Sequence, residues 1–128
     1  MIPVYYRGKH EDEDKIVWIK PDDILTVKMV GEGRNGKTSI HTVDGSVYEP
    51  IDTITKWHKL LEPHGFMRLA RDNTTNLNHV KDLQAYEQRV YFEKPFNKNS
   101  LFVYASNACV RFVQRILKNR EKENVPNP

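Results

Sequence analysis

Residues 66–77 read FMRLARDNTTNL and contain two strand signals separated by a polar connection. Aromatic, aliphatic and β-branched residues predict strands over 66–69 and 74–77. Between them, Asp72 and Asn73 are turn-forming residues, and Arg71 adds a basic side chain. The stretch therefore predicts two strands whose short connection presents basic and amide groups.

Strand signals continue on both sides of this stretch, and they predict a mainly β chain. The further predicted strands cover 2–6, 15–20, 24–30, 38–43, 46–49, 80–86, 89–92 and 101–104. Asp44-Gly45 is a strong hairpin signal between two of them. In the strand 15–20 we expect Ile16 and Trp18 to face the core, with Val17 or Ile19 as further candidates.

Two segments change from strand to helix periodicity. A short helix is predicted near 53–61, where apolar residues such as Trp57 recur at helical spacing. A second helix is predicted near 107–119, with Ser106 or Asn107 as its N-terminal cap.

Length and composition limit the architecture and the location of the chain. Its 128 residues fit one domain, which we expect over 1–120, followed by a frayed polar tail over 121–128. No apolar run approaches the ~18 to 20 residues that a membrane-spanning helix needs. The single cysteine, Cys109, cannot form an intrachain disulfide. We expect a cytoplasmic protein with no membrane partner.

The net charge of +3 is distributed unevenly. Residues 1–23 carry four basic and six acidic side chains, whereas the remaining residues carry sixteen basic and eleven acidic ones. A positive surplus in a small domain favours a polyanionic partner such as nucleic acid.

Patterns for catalysis or cofactor binding are weak. The glycines at 31, 33 and 36 have dinucleotide-loop spacing, but strands flank them on both sides and no helix start is predicted to hold a phosphate. The five histidines form no close ligand pair, and the acidic run 11–14 is typical of a solvated loop. Cys109 is predicted to be a packed thiol in a helix. We therefore predict no enzyme activity, no metal and no cofactor.

Basic and amide side chains concentrate at three connections, where Arg, Lys and Asn can contact phosphates and base edges. Ordinary polar turns are the alternative for each connection taken alone. The residues are Arg34, Asn35 and Lys37 in the first, Arg71 and Asn73 in the second, and Ser106, Asn107 and Arg111 in the third.

Residues 66–77 resemble the F-x-R-x-H-R-S-x-x-V-N signature of the LytTR family of bacterial DNA-binding domains. The matching positions are Phe66, Arg68, Arg71 and Asn76. The stretches 21–24 and 41–45 resemble two further family motifs, and Ser106 precedes the last predicted helix where the family usually has S-R. The resemblance covers about residues 2 to 118.

The resemblance implies a multi-stranded, elongated β-sheet fold that reads bent duplex DNA through three loops inserted into successive grooves. By position, Lys37 takes the contact of the first loop and Arg71 that of the second. Asn107 or Ala108 takes the place of the family's third-loop arginine, for which Arg111 can substitute. The chain departs from the signature at Ala70 and Asp72, where the family has His and Ser, and in Thr74-Thr75, where it has apolar residues.

These observations predict a stand-alone, response-regulator-like bacterial transcriptional regulator that binds duplex DNA sequence-specifically. Met1 lies almost at the first strand, so no input domain is expected. A homodimer on a repeated site and a protein regulator are further expected partners. The alternative is a protein-interaction module of the same fold that modulates another regulator without reading DNA. The predicted DNA contacts are Arg34, Asn35, Lys37, Arg68, Arg71, Asn73, Asn107 and Arg111.

Overall fold

The computed structural model describes residues 2–6, 15–30, 37–50 and 54–124. They belong to two compact units, residues 1–79 and residues 80–128. In the first unit the described residues form seven strands and one α-helix: β1 (Ile2–Tyr6), β2 (Lys15–Ile19), β3 (Ile24–Val30), β4 (Lys37–Thr42), β5 (Val47–Pro50), α1 (Ile54–Leu61), β6 (Phe66–Ala70) and β7 (Asn73–Asn76).

The seven strands form one antiparallel sheet in the order β2-β1-β5-β4-β3-β7-β6. A register shift between Ile24 and Thr26 interrupts the pairing of β3 with β4, and it lets Ile24 and Val27 both enter the core. The predicted hairpin joins β4 to β5. There the Asp44 carboxylate accepts hydrogen bonds from the Thr42 hydroxyl at 2.6 Å and the Ser46 amide at 2.9 Å.

The core of the first unit lies between α1 and one face of the sheet. The helix is amphipathic and buries Ile54, Trp57 and Leu61. The sheet contributes Ile2, Val4, Ile19, Ile24, Val27, Ile40 and Phe66 to the same cluster. The predicted helix near 53–61 is therefore present, and its apolar side chains pack in the core.

The predicted facing of β2 is wrong. Ile16 and Trp18 are 60% and 57% exposed, whereas Ile19 is 9% exposed. The cause is the register with β1, which pairs Ile2 with Ile19 and Val4 with Val17 and so turns the odd-numbered side chains of β2 inward. Because both faces of this strand are apolar, alternation alone does not identify the inner one.

The second unit contains β8 (Asp82–Gln84), β9 (Arg89–Tyr91), β10 (Phe102–Tyr104) and α2 (Asn107–Asn124). Its strands form an antiparallel sheet in the order β10-β9-β8. The buried apolar residues are Val80, Val90, Tyr91, Val103, Ala105, Val110 and Val113. The prediction of a mainly β fold with two helices is confirmed.

Helix α2 is longer than predicted. It continues past residue 119 to Asn124, so residues 121–124 of the expected frayed tail are helical. Two contacts hold this last part: the Arg120 guanidinium donates to the Val80 carbonyl at 2.9 Å, and Lys94 Nζ lies 3.8 Å from Glu121 Oε1. The expectation of one domain over 1–120 stays a prediction.

Candidate nucleic-acid interface

Lys37 and the turn of residues 71–72, which belong to two of the predicted connections, lie at the same end of the large sheet. Lys37 begins β4 and pairs with Val30, the last residue of β3. On the other side of β3, Lys28 pairs with Asn73, the first residue of β7. The Met29 amide donates to the Asp72 carbonyl at 2.7 Å. The end of β3 therefore lies between Lys37 and the turn of residues 71–72.

The two arginines of this region have different surroundings. Arg71 is exposed in the turn between β6 and β7. Arg68 is half-buried in β6, and its guanidinium donates a hydrogen bond to the Arg71 carbonyl. Arg71 thus presents its side chain to solvent, whereas Arg68 braces the backbone that carries Arg71.

Asn73 is buried, with 1% of its surface exposed. Its amide nitrogen donates to Asp72 Oδ1 at 3.0 Å, and its amide oxygen accepts from the Thr75 hydroxyl at 2.9 Å. These bonds hold the side chain of Asn73, which the sequence predicted as a DNA contact, within the turn.

The charges beside the turn are partly compensated. Burial lowers the pKa of Lys28, while the negative charge of nearby Asp72 raises it. His41 is half-buried in β4, and burial, followed by the charge of Lys28, lowers its pKa to about 4. His41 is therefore neutral at pH 7, and Lys28 offsets the carboxylate of Asp72. Sequence reasoning missed Lys28, although a lone lysine inside the apolar strand ILTVKMV is a detectable signal.

The third connection belongs to the second unit. Asn107 and Arg111 are exposed in the first turns of α2. Ser106 caps this helix as predicted, because its hydroxyl accepts from the Cys109 amide at 3.3 Å. Cys109 is half-buried. Arg34 and Asn35, the glycines at 31, 33 and 36, and the acidic run 11–14 lie outside the described residues.

Within the described ranges, no group of three or more His, Cys, Asp or Glu side chains could hold a metal ion. Nor is any helix in that part of the chain long and apolar enough to cross a membrane.

The family model of the LytTr DNA-binding domain matches residues 14–118. The chain belongs to the LytTR family. This membership confirms the resemblance found in residues 66–77 and places the chain in a family of DNA-binding domains.

Proteins from two bacteria are similar to this LytTR chain. The transcriptional regulatory protein LytR of Staphylococcus aureus strain N315 is 31% identical over 81 residues, which are 63% of the chain and 31% of that protein. The sensory transduction protein LytT of Bacillus anthracis is 32% identical over 79 residues, or 62% of the chain and 30% of that protein. The matched region thus spans about a third of each relative's length.

The fold also agrees with a solved LytTr DNA-binding domain from Bacillus cereus. That structure superposes with a TM-score of 0.59 at 15% identity and covers 91% of this chain and 97% of its own. At this identity the agreement concerns the fold.

Proposed function

We propose that this LytTR chain binds duplex DNA sequence-specifically through its loops, as the DNA-reading part of a bacterial transcriptional regulator. In this proposal Lys37 contacts a phosphate, Arg71 contacts a base edge, and Asn107 with Arg111 supplies the third contact. Arg34 and Asn35 remain proposed contacts from the sequence. Arg68 and Asn73, also predicted contacts, would act by supporting the turn, within which both are hydrogen-bonded.

The observation that carries the proposal is the placement of Lys37 and Arg71 on either side of the end of β3. β4 and β7 both pair with β3, so two strand spacings, about 10 Å, separate their backbones. This is less than the ~12 Å width of a DNA major groove. Two exposed cationic side chains that project from backbones this close together can contact the same short stretch of duplex.

The electrostatics near the turn support the same role. An acidic residue next to a phosphate backbone opposes binding, and Asp72 follows Arg71 directly. Its carboxylate accepts a hydrogen bond from Asn73 and faces the charge of Lys28. The repulsion between Asp72 and DNA is therefore reduced without using Arg71, whose side chain stays exposed.

The test is a fluorescence-anisotropy titration of duplexes selected from random sequence, with scrambled duplexes for comparison, over a range of salt concentrations. Lys37→Ala should weaken both duplexes alike and lower the salt slope by about 0.9, because one phosphate contact is lost. Arg71→Ala should weaken binding to the selected duplex by about 1 to 3 kcal/mol. The difference in affinity between the selected and the scrambled duplex should therefore become smaller.

Two further variants control for charge. Lys20→Ala removes the same charge as Lys37→Ala at the opposite end of β3, and should leave the selected affinity near that of the parent. Arg71→Lys keeps the charge but loses bidentate geometry, so it should lose selectivity more than total affinity. Absence of binding to any duplex at low salt would refute the proposal and favour the protein-interaction module.

The rest of the proposal concerns assembly and location. A homodimer on a repeated site should bind a duplex that carries two copies of the selected sequence with a stoichiometry of two chains per duplex. A protein regulator is the second proposed partner. The proposed location is the cytoplasm, because bacterial DNA lies there.

A further inference from the structure

The turn of residues 71–72 rests on buried polar side chains from two strands. Thr26 on β3 and Thr75 on β7 are paired in register, and both are fully buried. Their hydroxyl oxygens lie 3.0 Å apart, and the Thr75 hydroxyl donates to Asn73 Oδ1 at 2.9 Å. Asn73 in turn donates to the Asp72 carboxylate at 3.0 Å. The four residues form one continuous chain of hydrogen bonds that ends in the turn.

The direction of the protons along this chain follows from its bonds. The Thr75 hydroxyl gives its single proton to Asn73, so the Thr26 hydroxyl is the donor between Thr26 and Thr75. The Thr74 carbonyl, at 3.1 Å, is a second acceptor for the same Thr26 proton. Asn73 therefore has its oxygen toward Thr75 and its nitrogen toward Asp72, which fixes the orientation of the amide. A fixed amide holds the Asp72 carboxylate, and the Asp72 carbonyl is held separately by the Met29 amide at 2.7 Å.

Packing alone does not require polar groups at these positions. Buried strand positions favour Val and Ile, and a buried hydroxyl stabilises the fold only when it is hydrogen-bonded. Here three buried polar residues follow one another from the middle of the sheet to the turn that carries Arg71. Chains of this kind specify one geometry when every member is bonded.

We infer that Thr26, Thr75 and Asn73 are positioning residues. They order the turn in the DNA-free protein, so that Arg71 can contact DNA without an ordering step on binding. The inference rests on the proposed function, because it assigns the purpose of the turn to DNA recognition. A turn that is ordered before binding avoids the entropy cost of ordering it in the complex. The three residues thus act on affinity through Arg71, without contacting DNA.

The test combines Thr75→Val with Arg71→Ala in a double-mutant cycle, measured as affinity for the selected duplex. Thr75→Val should weaken binding on the order of ten-fold when Arg71 is present, and should have almost no effect in the Arg71→Ala background. Thr75→Ser restores the hydroxyl and should restore the affinity. Equal losses in both backgrounds, or no loss in either, would overturn the inference.

Thr42→Val is the matched control. Thr42 is also a buried threonine with a hydroxyl bonded to a turn, but its turn is the Asp44 hairpin at the other end of β4. Thr42→Val should leave the affinity for the selected duplex unchanged. A loss like that of Thr75→Val would mean that any buried hydroxyl matters, and would refute a specific role.

A second measurement separates this inference from the proposed function. In the DNA-free protein, amide hydrogen exchange of Met29 reports its bond to the Asp72 carbonyl, and Thr75→Val should accelerate it while Thr42→Val should not. A parent protein that binds no duplex refutes the proposed function. An unchanged Met29 exchange rate in Thr75→Val refutes the preset turn whether or not DNA binds.

Discussion

The two tryptophans of this chain offer a direct test of the strand register. Trp57 on α1 is 4% exposed within the core cluster, whereas Trp18 on β2 is 57% exposed. A covered aromatic side chain buries roughly 150 to 250 Å² of surface, and each Å² of buried apolar surface stabilises the fold by about 25 cal/mol. Trp57→Ala should therefore lower the free energy of unfolding by about 3 to 5 kcal/mol, as truncation of buried aromatic residues does.

Trp18→Ala should lose only about 1 to 2 kcal/mol, because less than half of its surface is covered and the transfer estimate is an upper bound. Urea unfolding followed by far-UV circular dichroism measures both variants without relying on tryptophan emission. Each single-tryptophan variant also reports its remaining ring: Trp57 should emit at shorter wavelength and resist acrylamide quenching, and Trp18 should do the opposite.

The reasoning fails if Trp18→Ala is as destabilising as Trp57→Ala. A slip of one residue between β1 and β2 would exchange the faces of every side chain on β2 and bury Trp18. Trp57→Phe is the control for shape. No partner for the Trp57 indole N–H is found in the described part of the chain, so Phe removes an unsatisfied donor and should lose much less than Ala does.

Three further predictions concern stability. Folding lowers the pKa of His41 from 6.5 to about 4, so the unfolded chain binds more protons than the folded chain between these pH values. Tm should therefore fall as the pH drops from 6.5 to 4, and it should fall less in His41→Gln. Gly65→Ala and Gly45→Ala each place a side chain at φ near +90° and should cost about 1 to 2 kcal/mol in urea unfolding, with Gly65→Ala the costlier since its Cβ would lie 3.1 Å from the Asn78 amide. Ser106→Ala removes the cap of α2 and should cost about 1 kcal/mol, measured in the same way, and equal stability would contradict the cap.

Much of the fold follows from local sequence patterns. β1 and β3 begin and end at the predicted residues, because each is a β-favouring segment followed directly by polar or turn-forming residues. The Asp44-Gly45 hairpin was predictable for a similar reason, since Gly45 adopts the positive φ that its turn needs. Such features depend on a few neighbouring residues, and the sequence contains all of them.

Features set by pairing between distant residues could not be predicted in this way. The facing of β2 depends on its register with β1, and near its C-terminal end α2 carries Arg120, which bonds to the distant Val80 carbonyl. The sheet order places β7 beside β3 although about forty residues separate them, and no periodicity within either strand encodes that neighbour.

The candidate site combines both kinds of information. Residue types identified Lys37 and Arg71 as basic side chains at connections, but only the pairing of both β4 and β7 with β3 brings them to one end of the sheet. Arg68 and Arg71 also look equivalent in sequence, since both match the family signature. The structure distinguishes them, because Arg71 is exposed in the turn, whereas the Arg68 side chain bonds to the Arg71 carbonyl. A residue type therefore suggests a candidate contact, and the hydrogen bonds around it show whether the side chain is exposed, as that of Arg71 is, or bonded within the turn, as that of Arg68 is.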